Sequence, residues 1–211
     1  NVISADGLLN DEELRNKSRN KEFQYSTFDF ITTNPPFGSI IKQTEKAYMH
    51  QYSLGKKELD WLSTNGTTKE IIRDSQSTEI LFLEQCHKFL TEQGYLAIVI
   101  PDGILTNSSL QYVRDNLEEL YRIVAVVSMP QTAFTATGAG VKSSILFLRK
   151  HKEKASEKIY NHKVKLKEQL KKDNKFIETI EKWEKEKNNA IKKLEEEAKQ
   201  KNPKTSKKEI G

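Results

Sequence analysis

The chain has 211 residues, 36% hydrophobic and 31% charged, with a formal net charge of +5. That length suits one domain, or a domain with an appendage, around a modest core. The single cysteine, Cys86, excludes an internal disulfide and agrees with a reducing, cytoplasmic compartment. No apolar run approaches the roughly 18 residues of a membrane span, and the N-terminus is not signal-like. The charge is unevenly placed. Residues 151–211 hold 19 lysines against 12 acidic residues, a net of +7, which leaves −2 for residues 1–150. A start at Asn1 instead of methionine suggests a fragment or a processed product.

Taken in order, residues 1–9 look like the end of a strand running into Asp6-Gly7. A carboxylate at the C-terminal edge of a strand lies where α/β sheets bind nucleotide-like ligands. Asp-Gly is equally a common turn pair. Residues 10–27 are polar, with a short helix expected over Asp11–Lys17.

Phe28-Asp29-Phe30-Ile31-Thr32-Thr33 then has the β-branched and aromatic composition of a packed strand. Asn34-Pro35-Pro36-Phe37-Gly38 ends it as a stiff turn, because neither proline has an N–H and Pro35 biases Asn34 toward an extended backbone. Such a turn can converge the Asn34 carboxamide oxygen and the Pro35 carbonyl on one point, with the Phe37 ring beside it. Two acceptors there suit an exocyclic amine on an aromatic base, whose lone pair becomes available once both N–H groups are engaged. With a sulfonium methyl as electrophile, catalysis is then mostly positioning and electrostatics.

Residues 39–76 read as a long, mixed loop. Lys42, Lys46, Lys56, Lys57 and Arg73 alternate there with Tyr48, Tyr52 and Trp61. The mixture suits phosphates and bases, or a solvated loop with aromatic anchors. Residues 77–90 predict a helix capped by Ser77, with Cys86 in the core and His87 on its surface. Gly94 marks a turn, and Tyr95–Pro101 a buried strand ending in Pro101-Asp102-Gly103. A helix over 108–119 and strands at Ile123–Val127 and Val141–Leu148 follow. Strands alternating with helices predict an α/β fold with a largely parallel sheet. Gly138-Ala139-Gly140 precedes a strand and so reads as a flexible turn. No cysteine cluster or histidine pair suggests a metal.

Residues 151–202 are rich in Lys and Glu. Apolar residues from Val164 through Ile180, Trp183, Ile191 and Leu194 predict a helical hairpin or coiled coil broken near Asp173-Asn174. A solvated helix is the plainer reading, against which Trp183 weighs. Pro203 should end the helix, leaving 203–211 as a disordered basic tail.

Asn34-Pro35-Pro36-Phe37 resembles the Asn/Asp-Pro-Pro-Tyr/Phe signature of amino-methyltransferases that use S-adenosylmethionine. The wider order is more specific. Glu79-Ile-Leu-Phe-Leu-Glu84, the run Gly94 to Pro101-Asp102-Gly103, Val113-Arg114, Phe134 and Gly140-Val-Lys-Ser-Ser-Ile-Leu-Phe-Leu-Arg-Lys150 resemble the modification subunit of type I restriction–modification systems across residues 1–150. The resemblance implies a partial Rossmann-like S-adenosylmethionine-dependent methyltransferase sheet over 1–150, with a helical extension. It implies methyl transfer to adenine N6 in double-stranded DNA, the adenine being flipped out of the helix. Asn34, Pro35, Pro36 and Phe37 would be catalytic, Asp6 and Asn34 would hold the cofactor, and Phe37 and Phe134 would hold the base, without a metal. The specificity and restriction subunits would be partners, the C-terminal helices engaging the former.

The chain departs from that family in lacking the glycine-rich segment that cradles the cofactor's methionine end, so by itself it should be inactive. A non-catalytic scaffold working through the basic helices, and a single-chain restriction–methylation enzyme, are the alternative readings. The DNA target is not legible.

Overall fold

The computed structural model describes residues 4–42, 47–57, 71–135 and 140–201. They fall into two compact units, the first running up to residue 161 and the second from residue 162 onward.

In the first unit, α1 (Asp11–Ser18) forms because its ends are satisfied locally. The Asn10 side chain accepts from the Glu13 N–H at 2.8 Å, and the Glu13 carboxylate accepts from the Asn10 N–H at 3.3 Å. This reciprocal cap leaves two fewer orphan donors at the helix start.

The central sheet has four strands, β1 (Phe28–Thr33), β6 (Leu90–Pro101), β7 (Tyr121–Ser128) and β8 (Ser143–Lys150), in the order β1-β6-β8-β7. β1 and β6 pair in parallel, whereas β8 pairs antiparallel with both β6 and β7. The sheet is therefore mixed and not largely parallel. β1, β6 and β7 do run the same way, as strand–helix alternation requires. β8 returns the other way and inserts between β6 and β7, and periodicity carries no information on that insertion.

One face of the sheet is the core. Leu96, Ile98 and Ile100 of β6 and Leu146 and Leu148 of β8 pack on Ile80, Leu81, Leu83 and Cys86 of α2 (Thr78–Phe89) and on Val113 and Leu117 of α4 (Gln111–Leu120). Each such side chain, fully buried, contributes about 1.5–3 kcal/mol. The opposite face is open. Phe30, Tyr95 and Phe147 point to it and are exposed. β1 is consequently an outer strand, with Phe30 59% exposed, and not the packed strand that its composition suggested.

Gly94 is not a simple turn but part of a bulge inside β6. Phe28 pairs with Leu90 and Phe30 with Tyr95, so the intervening residues, with Gln93 at φ 66°, loop out of register. Pro101 leads directly into a short helix, α3 (Asp102–Thr106), which periodicity missed.

The 39–76 region is more structured than a loop. β2 (Ile40–Lys42) pairs with β5 (Ser75–Ser77), and β3 (Lys56–Lys57) with β4 (Ile71–Ile72). Two short 3-10 turns, Ala47–Gln51 and Ser53–Gly55, lie between them. The Glu84 carboxylate accepts from the Ser53 and Leu54 N–H groups at 3.0 Å each.

α5 (Glu153–Asp173) begins in the first unit and ends in the second, which also holds α6 (Phe176–Lys201). Trp183 is 63% exposed in the single chain, and Leu194 and Ile191 are exposed too. The 203–211 tail lies outside the described residues. Among the described residues no helix is long and apolar enough to cross a membrane.

Candidate active site

The parallel strands end at one edge. Thr33, Pro101 and Ser128 finish β1, β6 and β7 there, and Ser143 starts β8 opposite Pro101. The Asn34 turn leaves from this edge. Pro35 is buried, Asn34 and Pro36 are exposed and Phe37 is half-buried. Gly38 closes the turn at φ 71°, a left-handed value that a side chain would resist although space around it is open.

Thr78, the first residue of α2, sews this turn to the helix. Its hydroxyl donates to the Pro36 carbonyl at 2.8 Å, and its N–H donates to the Ser39 carbonyl at 2.9 Å. Sequence reasoning missed Thr78 because the adjacent Ser77 looked like the cap. Ser77 does hold the cap position, but its side chain makes no capping hydrogen bond.

Phe37 and Phe134 meet. Their ring centroids are 5.7 Å apart and the planes are inclined by 85°, an edge-to-face contact. Phe134 sits on the turns that follow β7, where the Ala133 N–H donates to the Pro130 carbonyl at 3.0 Å and the Thr135 N–H to the Thr132 carbonyl at 3.2 Å. Two residues 97 positions apart in sequence thus form one aromatic corner beside Asn34.

Asp6 does not end a strand. Residues 1–3 lie outside the described residues, and 4–6 have no strand structure. The Asp6 carboxylate accepts from the Leu8 N–H at 3.1 Å and its carbonyl from the Leu9 N–H at 3.2 Å, which makes it a turn residue. This turn is nevertheless fixed from α2. Gln85 Nε2 donates to the Gly7 and Leu9 carbonyls at 2.9 and 2.7 Å, and the Tyr52 hydroxyl donates to the Leu8 carbonyl at 2.5 Å. A cavity of 360 Å³ opens between Gly7 and the end of β1, lined by Phe28, Thr33, Phe82, Gln85 and Phe89 among others. The Phe82 ring lies 3.1 Å from where a β-carbon on residue 7 would stand. Phe82, hidden in sequence as one apolar residue of a helix, is a wall of this cavity. The cavity has Gly7 and Thr33 among its lining, and its aromatic walls fit a flat heterocycle such as an adenine ring.

The basic and aromatic residues of 39–76 are largely committed to structure. Tyr52 is fully buried. The Arg73 guanidinium lies 3.8 Å over the Tyr112 ring, and its Nε donates to the Lys56 carbonyl at 2.9 Å. Lys57 pairs with Asp74 at 3.6 Å, whereas Lys42 is exposed. Lys46, Trp61 and the Tyr48 side chain lie outside the described residues.

Burial pushes the Cys86 thiol up to about 12, so it is no thiolate nucleophile. His87 is not a surface residue. Burial, with Lys150, His151 and Lys88 nearby, brings its imidazole down to about 3, and its ring packs edge-on against Tyr121 at 5.2 Å. No group of three or more potential metal ligands exists among the described residues.

A family model described as N-6 DNA Methylase matches residues 2–209. The chain is similar to the type I restriction enzyme EcoEI methylase subunit of Escherichia coli, at 28% identity over 137 residues, 64% of this chain and 23% of that protein. It is also similar to a Methanocaldococcus jannaschii protein provisionally named a type II restriction enzyme and methyltransferase, at 26% identity over 132 residues, 62% of this chain and 9% of that protein. The chain therefore spans less than a quarter of the length of these curated relatives. The crystal structure of the type I restriction enzyme EcoKI M protein overlays with a TM-score of 0.39 at 19% identity, covering 61% of this chain and 22% of that one. With a family model matching nearly its whole length, the chain belongs to the N-6 DNA methylase family.

Proposed function

We propose that residues 1–150 are the C-terminal part of the catalytic domain of a type I modification subunit that transfers a methyl group to adenine N6 in DNA. On this reading residues 151–202 are a helical extension for subunit contact. The observation that carries the proposal is the Asn34-Pro35-Pro36-Phe37 turn at the carboxyl edge of the sheet, with Phe134 against Phe37 at 5.7 Å.

The Asn34 side chain is exposed and takes no hydrogen bond among the described residues, so its carboxamide oxygen is available to a substrate N–H. The Pro35 carbonyl offers a second acceptor. Together they favour a pyramidal N6 amine, which takes the nitrogen lone pair out of conjugation with the ring and leaves it free to attack. Phe37 and Phe134 hold the flipped base by its faces and edges. S-adenosylmethionine, when bound, supplies an electrophilic methyl group. Asp6 and the cavity walled by Gly7 and Phe82 would hold its adenine end, and Asn34 would border both ligands. As the new nitrogen–carbon bond formed, the methyl–sulfur bond would break with its electron pair staying on sulfur as a neutral thioether, and the surplus N6 proton would pass to water at the exposed turn. Target choice and cleavage would belong to a specificity and a restriction subunit, in the cytoplasm.

The test is methyl transfer from labelled S-adenosylmethionine to DNA by the full-length protein that contains these residues, with N6-methyladenine identified by mass spectrometry. Asn34→Ala should lower the rate by roughly 10²–10³, and Asn34→Asp, which keeps an acceptor, by less. Full activity in a folded Asn34→Ala protein would remove the chemical basis of the assignment.

A further inference from the structure

Two motifs remain without a role in this chemistry, Pro101-Asp102-Gly103 and Lys142-Ser143-Ser144. They lie 40 residues apart and meet at the edge that carries the Asn34 turn. The Ser144 hydroxyl donates to Asp102 Oδ1 at 2.7 Å, and the Asp102 N–H donates to the Lys142 carbonyl at 2.9 Å. The Lys142 ammonium then reaches three acceptors from two directions. It is 3.8 Å from Asp102 Oδ2, 2.5 Å from Ser128 Oγ, and in short contact with the Met129 carbonyl oxygen. Two of the ammonium's three donors thus have hydrogen-bond acceptors, and the third faces the Asp102 carboxylate at ion-pair distance.

Ser128 and Met129 are where β7 hands over to the turns that carry Phe134. The Met129 N–H donates to the Ser143 carbonyl at 3.0 Å, so this point is held from both sides. We propose that Lys142, braced by Asp102 and Ser144, is a positioning residue that aims the Phe134 ring at Phe37 and so shapes the pocket for the substrate's planar base. The inference rests on the methyltransferase reading for what the pocket holds, but not for the brace itself. The Lys142 and Asp102 side chains are 33% and 28% exposed. A pair this close to solvent adds little to global stability. Its geometric effect is larger, because the connection to Phe134 starts at the atoms the ammonium holds.

The experiment uses the 211-residue chain with isotopically labelled phenylalanine rings. In the wild type, NMR should show cross-relaxation between the Phe37 and Phe134 rings, and titration with deoxyadenosine should shift both. Lys142→Met should lose the ring–ring contact and weaken the deoxyadenosine response about tenfold, the change that a lost ordering contact of ordinary size produces. Lys142→Arg, which keeps the charge, should retain both. If Lys142→Met does not fold, Ser128→Ala removes one of the three acceptors and should show a smaller change in the same direction. Persistence of the ring contact and of the deoxyadenosine response in a folded Lys142→Met chain would overturn the proposal. If the wild-type rings ignore deoxyadenosine while Lys142→Met still loses the contact, the brace exists but the proposal that it shapes a base pocket is overturned, whereas the methyltransferase reading is tested separately by methyl transfer in the full-length protein.

Discussion

Acidification should destabilise this fold through His87. The ring sits in the last turn of α2, edge-on to Tyr121, whose own hydroxyl donates to the Leu83 carbonyl at 2.9 Å. Burial is the main reason that its pKa falls from 6.5 to about 3, and the charges of Lys150, His151 and Lys88 add to it. The Lys150 ammonium is held in place by the His87 carbonyl itself, at 2.7 Å. The folded imidazole therefore stays neutral at pH 5, whereas the unfolded one protonates below about 6.5. Between those values the unfolded state binds more protons, so stability falls as pH falls and is fully present only above about 6.5. At pH 5 the unfolded histidine is about 30-fold more protonated than neutral, which removes about 2 kcal/mol relative to pH 7.5. Against a domain stability of about 5–15 kcal/mol, this is measurable. The assay is urea unfolding followed by circular dichroism at both pH values. His87→Phe keeps a ring against Tyr121 but cannot titrate, so the difference in pH dependence between the two proteins isolates His87. Equal losses between pH 7.5 and 5 in both would refute the reasoning.

Thr78→Val should cost about 0.5–1.5 kcal/mol of stability and, on the proposed function, slow methyl transfer by the full-length protein, because the hydroxyl that holds the Pro36 carbonyl is lost without a change of shape. Thr78→Ser should restore both, and thermal melts with initial rates are the measurements. Calorimetric titration of the 211-residue chain with S-adenosylmethionine should give a dissociation constant weaker than about 0.1 mM, since the sequence offers side chains for the adenine end and no glycine-rich turn for the methionine end. Micromolar affinity would show that other residues serve that end.

The sequence read well where one residue type has one physical meaning. Two consecutive prolines could only stop β1, and Gly38 at positive φ closes the turn they begin. The α2 and α4 stripes were legible because core contacts recur at helical spacing. It read poorly where meaning depends on a partner far along the chain. The insertion of β8 between β6 and β7, the contact of Phe37 with Phe134 and the grip of Thr78 on Pro36 are all long-range. Tyr52 lay where two readings stood open, phosphate-and-base binding or an aromatic anchor, and its buried ring, with the hydroxyl spent on the Leu8 carbonyl, makes it an anchor. His87 was placed on the helix surface, next to Lys88, whereas Tyr121 of β7 covers its ring.

The open side of the sheet has a consequence for handling and synthesis. Among the described residues β1 and β7 are its outer strands, and Phe30, Val124 and Val126 expose hydrocarbon along them. Outer strands with free backbone groups are templates for pairing with other chains, whatever their sequence. Loss of soluble material should then be second order in concentration, through encounters between folded molecules, and need not await unfolding. The strands carry some protection against this. Asp29 on β1 and Arg122 on β7 are exposed charges among the apolar residues, and Arg149 extends its guanidinium over the Tyr95 ring at 5.3 Å. They act as gatekeepers, since a neighbouring strand must bury or displace a charge to pair there. Shelter during synthesis thus falls to these few ionised groups, and neutralising them would trade solubility for adhesion without disturbing a single core contact.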